Sequence, residues 1–294
     1  MREDDITGWF RQQRELSPVD IPIGIGDDMA QIALGGGRSV LITTDMLLDG
    51  THFEAATAGL KRVGYKSMAA SLSDCAAMAT VPLAAVVAVG LPAGFSGREL
   101  KELHSGIVSA ADRYRCPLVG GDITSWQGAG RLVVCVSMLS KPGDKPPVRR
   151  SGARVGDAIC VTGSLGGSGL RKHLDFEPRV EEALEMARIA DLHAMMDISD
   201  GLSTDLNRIC TQSGAGAIVE ASALPISDDA KRRADPLHSA LHEGEDFELL
   251  FMLSPDQWDG LRRQWRSSVP LTEIGHITDT GRMEIRSSDG RVTR

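Results

Sequence analysis

The sequence predicts an α+β protein built of two tandem domains, and three observations carry that expectation. Runs of β-branched and aliphatic residues, such as residues 39–45, alternate with one-faced helical runs. A stretch rich in proline, glycine and charge at residues 141–147 interrupts the pattern. The same mixture of strands and helices then resumes, so each half reads as its own α+β layer.

Taken in order, residues 39–45, 83–91 and 131–139 read as buried strands of the first half. Leu100, Leu103, Ile107, Ala111 and Tyr114 recur at spacings of three and four, which predicts a helix that ends before Cys116 and Pro117. The break places the domains at residues 1–147 and 148–294. In the second half, residues 157–162, 216–220 and 247–253 read as strands, and residues 179–190 and 202–210 as helices. Residues 72–77 and 198–202 echo each other weakly, as an old duplication would leave them.

Composition narrows the function. The 294 residues are 42% hydrophobic and 24% charged, enough for a core and a soluble surface, while 32 glycines leave many loops open to ligands. A net charge of −8 opposes non-specific binding to nucleic acid and to anionic membrane surfaces. The five cysteines are scattered and form no C-x-x-C pair, as expected of reduced thiols in a cytoplasmic protein. The first residues lack a leader pattern, and the longest apolar stretch, residues 81–91, contains Pro82 and Gly90. A cytoplasmic protein without membrane attachment is expected.

The candidate chemistry lies in acids set beside small residues. Asp27 and Asp28 are adjacent in a glycine-lined turn and repel each other, a conflict that a divalent cation relieves. Asp45 ends a strand after Thr43 and Thr44, offering the hard oxygen donors that suit Mg²⁺, and His52 follows in a loop where it can meet an anion. Asp74 has Ala70, Ser71, Ala77 and Met78 at three and four residues, a small and apolar helix face on which a bare carboxylate is costly. Gly120, Gly121 and Asp122 run out of a strand, and Asp197, Ser199 and Asp200 precede an amphipathic helix. Glu245, Asp246 and Glu248 stand at the entrance of an apolar strand. Each motif singly has a plain alternative as a turn, a cap or a charged edge. Residues 162–169 are glycine-rich in phosphate-loop context but lack the Gly-Lys-Ser/Thr ending of a P-loop, while Arg149 and Arg150 can clamp a phosphate. The repetition of acid beside Gly, Ser or Thr at element ends points to Mg²⁺ and ATP handled without a P-loop.

In series, these motifs resemble the thiamine-monophosphate kinases of the aminoimidazole-ribonucleotide-synthetase-like superfamily, over nearly the whole chain. The resemblance rests on residues 26–28, 43–46, 50–53, 72–78, 120–122, 150–152, 197–202 and 244–249. It implies transfer of a phosphoryl group from ATP to thiamine monophosphate, with several Mg²⁺ ions. It also implies Asp27, Asp28, Thr44, Asp45, Asp74, Asp122, Asp197 and Asp200 as metal ligands. Gly121, Arg150 and Ser199 would touch ATP, and His52 with an acid among Glu245 to Glu248 would face the substrate. The resemblance further implies a homodimer in which the sheet of the N-terminal domain joins its twin. Because the attacking oxygen belongs to an already anionic phosphate, such an enzyme needs alignment and charge neutralisation more than a strong general base.

Two departures from the family pattern stand out. Ile123 replaces a polar residue after Gly-Gly-Asp, and the sequence ends at Arg294, where relatives carry a glycine- and aromatic-bearing tail over the substrate. The competing expectations are a sister enzyme of the superfamily with another acceptor, and a non-catalytic divalent-metal module.

Overall fold

The computed structural model describes residues 3–13, 15–287 and 291–293. The chain divides into two compact units. One holds residues 1–75, 81–142 and 174–178, and the other residues 76–80, 143–173 and 179–294. Each unit mixes helices with a single main sheet, which is the α+β architecture expected.

The elements of the first half are α1 (Glu3–Gln13), β1 (Ala30–Gly35), β2 (Arg38–Leu48), α2 (Ala55–Ala58), α3 (Leu60–Ala77), β3 (Thr80–Leu91), α4 (Gly97–Arg113), β4 (Leu118–Ser125) and β5 (Val133–Pro142). Their strands form a five-stranded sheet in the order β1-β2-β5-β3-β4. β2 runs antiparallel to β1 and β5, whereas β3 and β4 are parallel and joined through α4. The two faces of this sheet differ. Leu41 and Leu47 of β2, Val134, Val136 and Met138 of β5 and Val87 and Val89 of β3 are buried. Ile42, Met46, Val86 and Leu139, at the alternate positions, are exposed. α4 begins with a capping box between Ser96 and Glu99 and buries Leu103, Ile107, Ala110 and Ala111, the stripe that the sequence spacing anticipates.

Residues 174–178 belong to this unit although they lie late in the chain. Arg62 pairs with both oxygens of Asp175, and the Tyr65 and Tyr114 hydroxyls donate to the carbonyls of Phe176 and Pro178 at 3.0 and 2.9 Å. A single cut along the sequence does not express that exchange.

The second half contributes β6 (Ala158–Thr162), α5 (Lys172–Asp175), α6 (Val180–Ile189), β7 (Ala194–Asp197), α7 (Leu202–Ser213), β8 (Gly216–Glu220), α8 (Pro236–His242), β9 (Leu249–Leu253), α9 (Pro255–Gln264), β10 (Leu271–Thr278), β11 (Met283–Arg286) and β12 (Val292–Thr293). The sheet order is β12-β11-β8-β10-β6-β9-β7. Every residue of β6, β7 and β9 is buried, so these strands read as continuous apolar runs instead of alternating ones. The core gathers Ile159, Val161, Met196, Leu206, Ile209, Leu250 and Met252. The strand expected from residue 247 starts at Leu249, because Glu245 and Phe247 adopt φ of +64° and +49°, outside any strand geometry.

Candidate active site

In the first unit, strand alternation and helix periodicity bring four oxygen-bearing side chains together. Thr43 and Asp45 are two apart on β2 and share a face, while Ser71 and Asp74 are three apart on α3 and share a face. The Thr43 hydroxyl donates to Asp74 Oδ2, and the Ser71 hydroxyl donates to Asp45 Oδ2 at 2.5 Å. Carboxylate oxygens of Asp28 and Asp74 lie within 4.8 Å of each other, and Asp28 is buried. Burial pushes the Asp45 carboxyl above its ordinary range; the Ser71 hydrogen bond opposes the rise and the Asp28 charge adds to it. Asp27 beside Asp28 is half-buried.

Thr44 falls elsewhere. Its hydroxyl lies 3.0 Å from the Ser137 hydroxyl on the exposed face of the sheet, so the hydroxyl that joins the acids is that of Thr43. The period-two alternation around Asp45 carries that distinction, and neither Thr43 nor Ser71 was singled out as a site residue from sequence. Asp122 also faces away from Asp45, since its register partner in β3 is the exposed Ala88.

Gly121 is required by the close approach of its neighbouring strand β3. A Cβ there would sit 1.9 Å from the Val87 carbonyl oxygen. Gly120 to Ile123 nevertheless form one wall of a cavity of about 330 Å³, closed by Val87, Val89 and the Leu100, Leu103, His104 and Ile107 side of α4. His52 occupies a tight turn in which its Nδ1 accepts the Leu48 N–H at 3.0 Å, which leaves Nε2 as the ring's donor. The fully buried Lys66 donates to the His52 carbonyl at 2.5 Å, a cation beside this turn that the sequence motifs did not reveal.

In the second unit, Asp197 closes β7 and is buried, and Ser199 and Asp200 lead into α7. The residue that satisfies the open N–H groups here is Asp205, whose Oδ2 accepts from Ser199 and Asp200 at 3.1 Å each. Burial first, and the Asp200 charge second, raise Asp205 to about 7. Arg208 bridges Asp205 and Asp200 at 2.9 and 2.5 Å, so Asp200 does have a basic neighbour, eight residues along the chain. Arg150 is close enough for its charge to act on the Asp205 carboxyl, which places it in this group.

Of the acids at residues 245–248, Asp246 and Glu248 are committed inward. Glu248 is 1% exposed, and its carboxylate accepts from Thr162, Lys172 and Arg179 at 2.8 to 2.9 Å. Burial alone would raise it, but the Arg179 hydrogen bonds and the Lys172 charge outweigh that and hold it below the usual range. Its carboxylate is therefore withdrawn from ligands, whereas Glu245 remains half-buried beside the Ser199 carbonyl, to which its N–H donates at 2.7 Å. The glycine-rich loop is likewise occupied. The Gly166 N–H is bound by Asp246, and the Gly167 N–H by Ser239 and Glu243, so the chain's own side chains fill the cradle that a phosphate would use.

Comparison with known proteins gives this geometry a context. The N-terminal and C-terminal domain profiles of AIR synthase related proteins match residues 26–141 and 154–288. A thiamine-monophosphate kinase from Rhodopirellula baltica is 38% identical over 288 residues, covering 94% of this chain and 89% of that protein. The chain belongs to the thiamine-monophosphate kinase family. A second member, from Methanospirillum hungatei, is 36% identical over 86% of each chain. Among solved structures, AaThiL complexed with AMPPCP and TMP superposes with a TM-score of 0.84 at 27% identity, covering 99% of this chain and 96% of that one. The thiamine-monophosphate kinase of Stenotrophomonas maltophilia superposes at 0.79 with 32% identity, over 98% and 96%. Hydrogenase maturation protein HypE, at 0.72 and 19% identity, shares the fold. Family membership covers both units, and the acid motifs lie within the matched segments apart from Arg150.

Proposed function

We propose that this chain is an ATP-dependent thiamine-monophosphate kinase, joining the γ-phosphoryl group of ATP to the phosphate of thiamine monophosphate to give thiamine diphosphate and ADP. The observation that carries the reading is the pairing of Asp45 and Asp74 with hydroxyl donors, beside Asp28, in a family whose members bear this activity by name.

The donor set fits Mg²⁺. It consists of hard oxygens, and the half-buried Asp45 with the buried Asp28 nearby is a site where a divalent cation offsets both desolvation and repulsion. Asp27, Asp28, Asp45 and Asp74 in one unit, and Asp197 and Asp200 in the other, are the ligands of this proposal, with Thr44 and Asp122 on the open sheet face. When bound, the ions neutralise phosphate charge and polarise the transferred group. The protein's own part is alignment. Thr43 and Ser71 fix the carboxylates, Asp205 fixes Ser199 and Asp200, and Arg150 is positioned to meet a phosphate oxygen.

Gly121 and Asp122 border the cavity under α4, whose apolar walls and single histidine suit a planar base, so the adenine of ATP is assigned there. His52 in the first unit, through its Nε2–H, is assigned to the substrate's phosphate, and Glu245 in the second is the acid of residues 245–248 left to meet the thiamine substrate. The apolar open face carrying Ile42, Met46, Val86 and Leu139 is the surface on which a second copy docks, giving the homodimer. An aqueous, cytoplasmic enzyme fits this reading, and among the described residues no helix is long and apolar enough to cross a membrane.

The decisive experiment incubates purified protein with Mg²⁺, ATP and thiamine monophosphate and follows thiamine diphosphate by chromatography. Formation of that product supports the reading; ATP binding without it overturns the assignment and returns the chain to a sister activity.

A further inference from the structure

We infer that Asp246 is a positioning residue: it sets the conformation of residues 197–201 by bracing residues 245–248 behind them. The inference rests on the assignment of Asp197, Ser199 and Asp200 to metal and nucleotide.

Three backbone hydrogen bonds tie the two segments together. Ile198 N–H donates to the Glu248 carbonyl at 2.8 Å, Phe247 N–H to the Ile198 carbonyl at 2.8 Å, and Glu245 N–H to the Ser199 carbonyl at 2.7 Å. The conformation that delivers these bonds is not one the segment adopts unaided. Glu245 and Phe247 have φ of +64° and +49°, a left-handed backbone that non-glycine residues resist and that persists only where the surroundings hold it.

Asp246, between those two residues, supplies the hold. It is 0% exposed, both of its oxygens accept the Gly166 N–H, at 3.0 and 2.9 Å, and Oδ1 also accepts the Ser168 hydroxyl. The anchor is itself constrained. Gly166 has φ of +79°, and a Cβ there would fall 2.7 to 2.8 Å from the backbone of Ser239 and Ala240. At the far end, Glu248 is bound by Lys172 and Arg179. A segment bolted at both points presents fixed N–H groups to Ile198 and Ser199, and so fixes where the neighbouring Asp197 and Asp200 begin. Asp246 acts through that backbone and not on a ligand.

The test compares wild type, Asp246→Ala and Asp246→Asn by calorimetric titration with Mg²⁺ and AMPPCP, at a temperature where circular dichroism shows each variant folded. Steady-state kinetics in Mg²⁺ and ATP accompany the titration. Alanine raises the nucleotide Kd and the half-saturating Mg²⁺ by about tenfold or more, because a loop displaced by a fraction of an ångström loses its ligand geometry. Asparagine retains a carbonyl acceptor for Gly166 and Ser168 and restores both values to within about threefold of wild type. Wild-type Kd and Mg²⁺ dependence in a folded alanine variant, or asparagine as impaired as alanine, overturns the inference. If the alanine variant does not fold, Ser168→Ala removes one anchor bond; it raises the same two values in a smaller step, and their constancy refutes the brace. Because the titration needs no turnover, a wild type that binds Mg²⁺ and AMPPCP but makes no thiamine diphosphate refutes the kinase reading and leaves this test intact.

Discussion

Asp45, half-buried, and Glu248, fully buried, are both acids on motifs that the sequence marks, yet their surroundings are opposite. Asp45 takes a hydrogen bond from a neutral hydroxyl, has Asp28 nearby, and is pushed upward by burial. Glu248 meets an ammonium and a guanidinium and is held downward. Glu248, supplied with fixed cations by its own chain, is part of the framework, whereas Asp45, held by a hydroxyl beside a second acid, retains its demand for a cation. The difference separates a candidate ligand from scaffolding for these two acids.

The comparison predicts unequal consequences. Asp45→Asn should lower kcat by at least about a thousandfold, since it removes a metal ligand, while the melting temperature without ligand stays level or rises because a partly desolvated charge beside Asp28 is gone. A modest kinetic loss with a large fall in melting temperature would place Asp45 with the scaffold. Glu248→Ala should do the reverse. Stranding Lys172 and Arg179 costs about 3 to 5 kcal/mol in denaturant unfolding, and an unchanged midpoint would show that the triad is not structural.

A third test uses pH. Asp246 is raised from 3.8 to about 6, chiefly by burial. Below 3.8 both states hold the proton; between 3.8 and 6 only the folded state does, so stability falls as pH rises through that window. A displacement of this size corresponds to roughly 3 kcal/mol at most. Glu248, lowered in the fold, contributes with the opposite sign: its stabilisation is present above the ordinary glutamate range and is lost as pH falls through its depressed value. Unfolding free energies of Asp246→Asn across pH 4 to 6 should decline less steeply than those of wild type, and parallel profiles would contradict the buried-charge account. The smallest effect is expected at the exposed Arg113–Glu177 pair, at 2.9 Å, where Arg113→Ala should cost under about 1 kcal/mol.

Much of this was legible in the chain. The strands around Asp45 and the helix from Leu100 follow from residue periodicity, and the acid motifs stand in family order. The choice between Thr43 and Thr44 required knowing which face of β2 meets α3. Asp205 escaped attention because it lies inside α7 and reaches back to Ser199 and Asp200, whereas a cap is sought ahead of a helix. Glu248 reads as a substrate-facing acid in the sequence because its partners Lys172 and Arg179 stand 76 and 69 residues away.

Local patterns of side-chain size, branching and charge were enough to predict two α+β halves and to single out acids beside small residues, and the order of those motifs carried the family resemblance. Those properties depend on neighbours within a few residues, where one chain segment constrains itself. Tertiary structure alone decided which acids meet hydroxyls and which meet cations, and it set Glu245 and Phe247 into a left-handed backbone against their own preference. Such outcomes depend on groups brought together across long stretches of chain, and burial then turns those encounters into large differences in charge energy.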